Sequence, residues 1–268
     1  MSDQTGLPIT HWQRLWLYAV GGFVLFFLIA PCLIIVPMSF SDSTLLQFPP
    51  PTWSLRWYNE YFGSIEWRDA TMVSIKVAVM TTILATPIGV AAAYALNASV
   101  LRFTGIINMI LTAPLIIPVI LIAIGAFFLY ARIGINNTLT GLVLAHTVLA
   151  IPLVVLTVLS GFRSYDMNQE RVARSLGAGR LSAFWQVTAP QIRFSIISGA
   201  LFAFTTSFDE VVVSLFISGG ETTTLTRRMF NALRDEIDPT IAAISTCLII
   251  LSVLMLSIAQ ILGTKREN

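Results

Sequence analysis

Long apolar stretches dominate the chain, and shorter polar segments separate them. A helix needs about 20 apolar residues to cross a bilayer, and six stretches are long enough. The predicted spans are residues 16–38, 70–96, 104–130, 139–162, 194–218 and 240–262. The only charged residues inside them are Lys76, Asp209 and Glu210. The pattern predicts an all-α polytopic membrane protein in which residues 16–262 form a single transmembrane domain.

The segment between the fourth and fifth spans, residues 163–193, is polar and predicts two short helices around a bend. Apolar residues are spaced one turn apart in both helices: Val172 and Leu176 in the first, Leu181 and Trp185 in the second. Each pair therefore shares a helix face. Gly177 and Gly179 are expected to supply the bend, since glycine tolerates unusual backbone angles. Pro190 is expected to set where the next helix begins.

The charge distribution predicts the orientation in the membrane. Six spans place both termini and residues 163–193 on one side, with nine Arg and Lys residues against four Asp and Glu residues. The opposite side has six basic residues against eight acidic ones. Because positive charge marks the cytoplasmic side, the N-terminal segment 1–15, the loop 163–193 and the C-terminal segment 263–268 are predicted to be cytoplasmic.

Composition excludes several classes of protein. The chain of 268 residues is 56% hydrophobic and only 11% charged, whereas soluble domains contain about 25% charged residues. Cys32 and Cys247 lie far apart in apolar segments, which predicts neither a disulfide nor a metal site. The two lysines, Lys76 and Lys265, complete no phosphate-binding G-x-x-x-x-G-K motif, so the chain is not expected to be an ATPase or to hold a cofactor.

Two adjacent carboxylates, Asp209 and Glu210, lie within the fifth predicted span. An aspartate at the middle of a bilayer costs at least about 2.5–3.5 kcal/mol. Neighbouring helical residues point about 100° apart, so at least one carboxylate is expected to face a polar cavity. The alternative is an ion pair with a partner subunit or with Lys76.

His146 lies within the fourth predicted span. An intramembrane histidine is a functional candidate by default. It has no second histidine or carboxylate nearby in sequence, and an interhelical hydrogen bond is the favoured interpretation.

The polar loop resembles a family signature. Glu170, Ala173 and the Leu176-Gly177-Ala178 core precede Val187 and Ala189-Pro190, with nine residues between Gly177 and Val187. This pattern is similar to the EAA loop, E-A-A, three residues, G, nine residues, I-x-L-P, of permease subunits of bacterial binding-protein-dependent ABC importers. The chain departs from it at Arg171 and Val172, which occupy the usual Glu and Ala positions while Glu170 lies one place early.

The resemblance implies a type I ABC importer permease fold in the bacterial inner membrane. It implies a second homologous permease subunit, two ATPase subunits that bind ATP and Mg, and a periplasmic substrate-binding protein. The resemblance also implies that the loop couples the permease to the ATPases. The implied coupling residues are Glu170, Ala173, Leu176, Gly177, Ala178 and Pro190.

A second resemblance concerns the solute. The stretches FPPPTWSLRWYNEYF and SFDEVVVSLFISG look like corresponding segments of spermidine/putrescine permeases, which implies a polyamine substrate and a pathway containing Asp209 and Glu210. Carriers of opines and amino-acid-like solutes belong to the same subgroup and remain alternatives. A proton-coupled secondary transporter using Asp209, Glu210 or His146 is a more distant one. An intramembrane enzyme is remote, because no nucleophile–base constellation is evident.

Overall fold

The computed structural model describes residues 15–98, 103–235 and 237–264. Thirteen α-helices account for most of the described residues. They are α1 Leu15–Ser39, α2 Arg56–Gly63, α3 Ile65–Ala98, α4 Thr104–Thr112, α5 Val119–Ile133, α6 Leu139–Arg163, α7 Asn168–Ser175, α8 Arg180–Ala183, α9 Ala189–Gln191, α10 Arg193–Phe208, α11 Val212–Ile217, α12 Leu225–Asp235 and α13 Thr240–Thr264. A 3-10 turn, Ala113–Leu115, follows α4, and a π-helical turn, Phe184–Thr188, joins α8 to α9.

Most of both predicted cytoplasmic termini falls outside the described residues, since residues 1–14 and 265–268 are not among them. Arg102, which contributes to the predicted cytoplasmic charge, lies outside them as well. The orientation of the chain therefore stays a prediction from charge.

The chain divides into two compact units. The first unit consists of Met1–Gly63 and Ile237–Leu256. Within it, the Ser39 and Tyr58 hydroxyls lie 2.8 Å apart and join the end of α1 to α2. The ring of Phe40 packs against Tyr58 with centroids 5.2 Å apart. This contact holds the segment after α1 against the short helix α2.

The second unit, Ser64–Glu236 with Ser257–Asn268, contains the loop and both carboxylates. Its centre is formed by α3, α6 and α10, which pack against one another. A Cβ atom at Gly89 would lie 2.6 Å from Val154 Cβ, so α3 and α6 approach closely there. Ala93, one turn further along α3, is fully buried. Small residues permit this close helix packing.

Three described helices, α1, α3 and α6, are long and apolar enough to cross a membrane, and two bent helix pairs raise that number to five. The described apolar part of α13, Thr240–Leu254, is shorter. Proline does not interrupt α6, which continues through Pro152.

The third predicted span, residues 104–130, is bent rather than straight. The segment Thr104–Leu115 meets α5 at an angle of 93°. Pro114 lies in the 3-10 turn and Pro118 directly precedes α5. Proline lacks the N–H that would continue the helical hydrogen bonds, which accounts for the bend at this point.

The fifth predicted span, residues 194–218, is not one helix, and the expectation of a continuous helix through Asp209 was wrong. α10 ends at Phe208 and α11 begins at Val212. Hydropathy does not reveal the interruption, because apolar residues continue on both sides of the two carboxylates. Acidic side chains can bond to nearby backbone N–H groups and so compete with helix continuation.

Candidate functional site

The polar loop contains two helical segments on either side of a bend: α7, and the segment Arg180–Gln191, in which α8, the π-helical turn and α9 follow directly on one another. The first, α7, ends in a capping motif centred on Gly177: Gly177 N–H donates to the Arg174 carbonyl, and Ala178 N–H donates to the Ala173 carbonyl, both at 3.1 Å. This is the Schellman arrangement, which satisfies the last carbonyls of a helix. Ala173 and Ala178 thus contribute backbone groups to the bend.

Gly177 is the residue whose backbone requires glycine. Its φ angle is +98°, in a region that residues with a Cβ atom rarely adopt. Gly179 was expected to share this role, but its φ of −66° and ψ of 160° suit any residue. The bend therefore depends on Gly177 alone.

Glu170 lies inside the loop. Its side chain is only 2% exposed. One carboxylate oxygen accepts a hydrogen bond of 2.5 Å from the Tyr94 hydroxyl, and the other accepts one of 2.6 Å from the Thr188 hydroxyl. A buried carboxylate needs such partners, because an unpaired one carries a large desolvation cost. In this structure Glu170 joins α7 to α3 and to the π-helical turn.

Four apolar side chains of the loop point outward. We call them the loop patch: Val172, Leu176, Leu181 and Trp185, all of which are exposed. Leu176 is 84% exposed and Leu181 76%. Phe184 instead packs its ring edge-on against Tyr94, with centroids 5.2 Å apart. Exposed apolar patches of this kind mark protein interaction sites.

Pro190 lies in the one-turn helix α9 and is exposed. The segment Arg180–Gln191 then meets α10 at 82°. Pro190 therefore precedes the turn into the next long helix, where the sequence placed it.

Asp209 and Glu210 occupy the break between α10 and α11, and their environments differ. Asp209 caps α10 and is exposed, and none of the described residues forms a hydrogen bond or ion pair with its carboxylate. Glu210 is half-buried, and its Oε1 accepts a hydrogen bond of 2.9 Å from Val213 N–H. Glu210 thus satisfies a backbone donor in the first turn of α11, as acidic residues at helix starts commonly do.

The proposed ion pair with Lys76 is not formed. Among the described residues, the ion pairs are Arg228 with Glu66 and Arg234 with Asp235. Lys76 lines a mixed-charge cleft of about 580 Å³ near Glu66, Asp69 and Glu221 instead. Asp209 is therefore left available to a solute or to another subunit.

His146 joins the two sides of the break. The side chain is 1% exposed, its Nδ1 lies 2.9 Å from the Ser207 hydroxyl on α10, and its Nε2 lies 3.4 Å from the Ser214 hydroxyl on α11. The predicted interhelical hydrogen bond is confirmed. Asp209 lies between these two serines, so one imidazole holds the chain on either side of it.

Replacing His146 by alanine is expected to destabilise the second unit. Ser207 and Ser214 would lose their imidazole partner in a buried site, which typically costs about 1–3 kcal/mol. The melting temperature of the purified protein in detergent should fall. Thr147→Val is the matched control, because that buried hydroxyl bonds only within α6, at 2.6 Å to Val143 O. Equal melting temperatures for His146→Ala and wild type would contradict the role assigned to His146.

Sequence reasoning missed the residues that complete these contacts. Tyr94, Thr188, Ser207 and Ser214 form hydrogen bonds to residues at least 18 positions away. Thr188 occupies the variable position of the I-x-L-P pattern, and no periodicity distinguishes Tyr94 from the apolar residues around it. Only the packing of the helices brings these groups together.

The described residues combine apolar helices with an exposed apolar patch on a polar loop and with a carboxylate that has no partner among them, at a helix break. This combination is typical of a helical membrane transport subunit that acts with a partner protein. Residues 85–268 match the family model described as "Binding-protein-dependent transport system inner membrane component". The chain belongs to this family. It is a permease subunit of a binding-protein-dependent ABC importer, has the type I permease fold and is an inner-membrane component.

Individual relatives agree with the family. The chain is 32% identical over 231 residues to the putrescine transport system permease protein PotI of Escherichia coli K12, covering 83% of this chain and 82% of the relative. It is 29% identical over 243 residues to the spermidine/putrescine transport system permease protein PotC of Haemophilus influenzae, covering 90% and 94%.

A solved structure supports the fold. The chain resembles a subunit of a bacterial ABC transporter involved in the import of the acidic polysaccharide alginate, with a TM-score of 0.71 and 14% sequence identity. The match covers 100% of this chain and 99% of that one. At this identity the likeness concerns the fold alone.

Proposed function

We propose that this permease subunit carries a polyamine, spermidine or putrescine, into the cell. The observation that carries the proposal is the exposed Asp209 carboxylate at the break between α10 and α11, which has no hydrogen-bond or ion-pair partner in the part of the chain that the structure describes. A carboxylate in an apolar region compensates ammonium charges that the surroundings cannot solvate. The names of PotI and PotC, which specify putrescine and spermidine/putrescine, support the same substrate class.

The working complex contains a second homologous permease subunit, two ATPase subunits and a periplasmic binding protein that delivers the solute. ATP and Mg are bound by the ATPase subunits, because this chain contains no G-x-x-x-x-G-K motif. Both termini and residues 163–193 face the cytoplasm, in agreement with the excess of basic residues there.

The loop patch is the part of this chain that docks on an ATPase subunit. Three arginines of the same loop, Arg171, Arg174 and Arg180, are exposed as well, so the loop offers both apolar and positively charged side chains. The bend that exposes Leu176 is formed by Gly177 together with the backbone groups of Ala173 and Ala178. Pro190 precedes the turn into α10. The buried Glu170 side chain fixes the loop to α3. ATP-driven closure of the ATPases then shifts the helices between two states.

Uptake of radiolabelled spermidine and putrescine tests the proposal. Cells without their own polyamine importers would express this chain with the proteins encoded beside it. Uptake that requires ATP and the binding protein is the expected result. If the cells take up an opine or an amino-acid-like solute with ATP but take up no polyamine, the proposed substrate is wrong and the transporter class stands. If this chain alone takes up the solute with a proton gradient, the ABC mechanism is wrong.

Replacing Leu176 or Leu181 by aspartate is expected to release the ATPase subunit. Each change would bury a charge at the centre of an apolar interface, where few residues carry most of the binding free energy. A loss of about 2 kcal/mol or more corresponds to binding that is weaker by about thirtyfold or more. The amount of ATPase that co-purifies with the tagged permease would be measured at equal membrane abundance.

Gln186→Asp is the matched control for these two variants. Gln186 is an exposed residue of the same loop but does not belong to the loop patch. It should retain the ATPase. Wild-type retention by both Leu176→Asp and Leu181→Asp would show that the patch is not the docking surface.

A further inference from the structure

Four polar side chains form a continuous hydrogen-bonded chain inside the coupling loop. Thr188 donates its only hydroxyl proton to Glu170 Oε2 at 2.6 Å, so Tyr165 must donate to the Thr188 oxygen, 3.1 Å away. Tyr94 donates to Glu170 Oε1 at 2.5 Å. The order is therefore Tyr165 to Thr188 to Glu170, with Tyr94 joining from α3.

These residues come from different elements of the second unit. Tyr94 lies one turn before the end of α3, Glu170 in the first turn of α7, and Thr188 at the end of the π-helical turn. The π-helical turn, a rare local geometry often found at functional sites, places Thr188 fully buried beside Glu170. The Glu170 carboxylate is thus the point where the loop and the long helix α3 are joined.

We propose that Tyr94 and Thr188 are positioning residues that lock the coupling loop to α3 through Glu170, so that ATPase-driven displacement of the loop is carried into the transmembrane bundle. The inference rests on the proposed docking of the loop to an ATPase, and it concerns what happens inside this chain after docking. α3 packs directly on α6 and α10, and α10 ends at Asp209. Movement of α3 therefore reaches the helix that leads to the proposed pathway.

Packing alone does not make this join. An open apolar cleft of about 470 Å³ lies between α3 and the loop, lined by Pro87, Val90, Leu181 and Trp185 among others. The Tyr94 ring contacts Phe184 of the loop edge-on, and the hydroxyl reaches past it to Glu170. Charge-assisted hydrogen bonds to a buried carboxylate are short and strong, and breaking them would leave the anion unpaired in the interior.

The chain offers matched variants that separate the hydrogen bonds from packing. Tyr94→Phe removes one hydroxyl and keeps the ring contacts. Thr188→Val removes the other hydroxyl at similar volume, while Thr188→Ser keeps it. Tyr130→Phe removes the hydroxyl of a buried tyrosine of α5, outside the network, and serves as the control for losing a tyrosine hydroxyl elsewhere in the second unit.

The readout is movement of α3 in the assembled complex. A cysteine replaces Leu84, an exposed residue of α3, in a chain whose Cys32 and Cys247 are changed to alanine. Its labelling rate by a maleimide is compared without nucleotide and with ATP and vanadate, alongside the rate of ATP hydrolysis. Wild type, Thr188→Ser and Tyr130→Phe should show a nucleotide-driven change in labelling.

Tyr94→Phe and Thr188→Val should retain the ATPase subunit and hydrolyse ATP. The nucleotide-driven change in the maleimide labelling rate, however, should be about tenfold smaller than in wild type. This decrease corresponds to about 1.4 kcal/mol of lost coupling. Because both hydroxyls act on one carboxylate, the double variant should be little worse than either single one.

The proposal is overturned if Tyr94→Phe shows the same nucleotide-driven change in labelling rate as wild type. It is equally overturned if Tyr130→Phe loses that change as much as Tyr94→Phe does, or if the wild-type complex shows no such change. It is also overturned if Tyr94→Phe only lowers the melting temperature. Failure of the proposed function looks different: the ATPase would not co-purify with the wild-type chain at all.

Discussion

Replacing Gly177 by valine is expected to leave the chain in the membrane but to abolish solute-stimulated ATP hydrolysis by the complex. Gly177 has a φ of +98° with open space around it, so the obstacle is the backbone angle and not a clash with a neighbour. Left-handed backbone geometry costs about 1–2 kcal/mol for residues with a Cβ atom, and β-branched residues adopt it least readily. Relaxing the angle would break the two capping hydrogen bonds and displace Leu176.

Gly179→Ala is the matched control, because the φ of −66° there accepts alanine and no atom lies within 4 Å of the added Cβ. Gly177→Asn should be intermediate, since asparagine tolerates the left-handed region better than other residues. ATP hydrolysis by reconstituted complexes would be measured with and without loaded binding protein. Full stimulation of Gly177→Val at normal membrane abundance would refute the role of this bend in coupling.

Asp209→Asn is expected to reduce polyamine uptake strongly while leaving assembly intact. The carboxylate is exposed and forms no hydrogen bond or ion pair with the described residues, so its loss should not disturb folding. The lost charge would no longer compensate the ammonium groups of the solute, and at least tenfold slower uptake corresponds to about 1.4 kcal/mol. Initial rates with labelled putrescine at equal membrane abundance would measure the effect.

Glu210→Gln is the paired control, since it removes the same charge from the neighbouring residue. The glutamine carbonyl oxygen can still accept the Val213 N–H hydrogen bond that Glu210 Oε1 accepts at 2.9 Å, so α11 should keep its first turn. We expect uptake close to wild type. Equal losses in both variants would mean that the total charge of the break matters and that Asp209 has no special position.

The helix class, the position of the loop and the need for glycine at Gly177 are readable from the sequence, because each depends on local patterning. Hydropathy runs of about 20 residues predict helices, and the Leu176-Gly177-Ala178 core in its loop context predicts a bend. The bend between α4 and α5 coincides with Pro114 and Pro118, which lack the N–H that continues a helix. Family membership also follows from the linear sequence, since the family model matches residues 85–268.

Tertiary structure decided which side chains face inward and where the apolar runs break. Helical spacing places Leu176 and Val172 on one face of α7. It does not show whether that face is exposed, because an apolar face can equally contact a partner protein, lipid or the interior of the bundle. Only the structure shows that this face is exposed and that Glu170 is buried. His146 lies within hydrogen-bond distance of Ser207 and Ser214 on the two sides of the break at Asp209 and Glu210. The position of His146 in an apolar span predicts a hydrogen bond between helices, but it does not identify the partners. These partners are far apart in the chain and become neighbours only when α6, α10 and α11 come together.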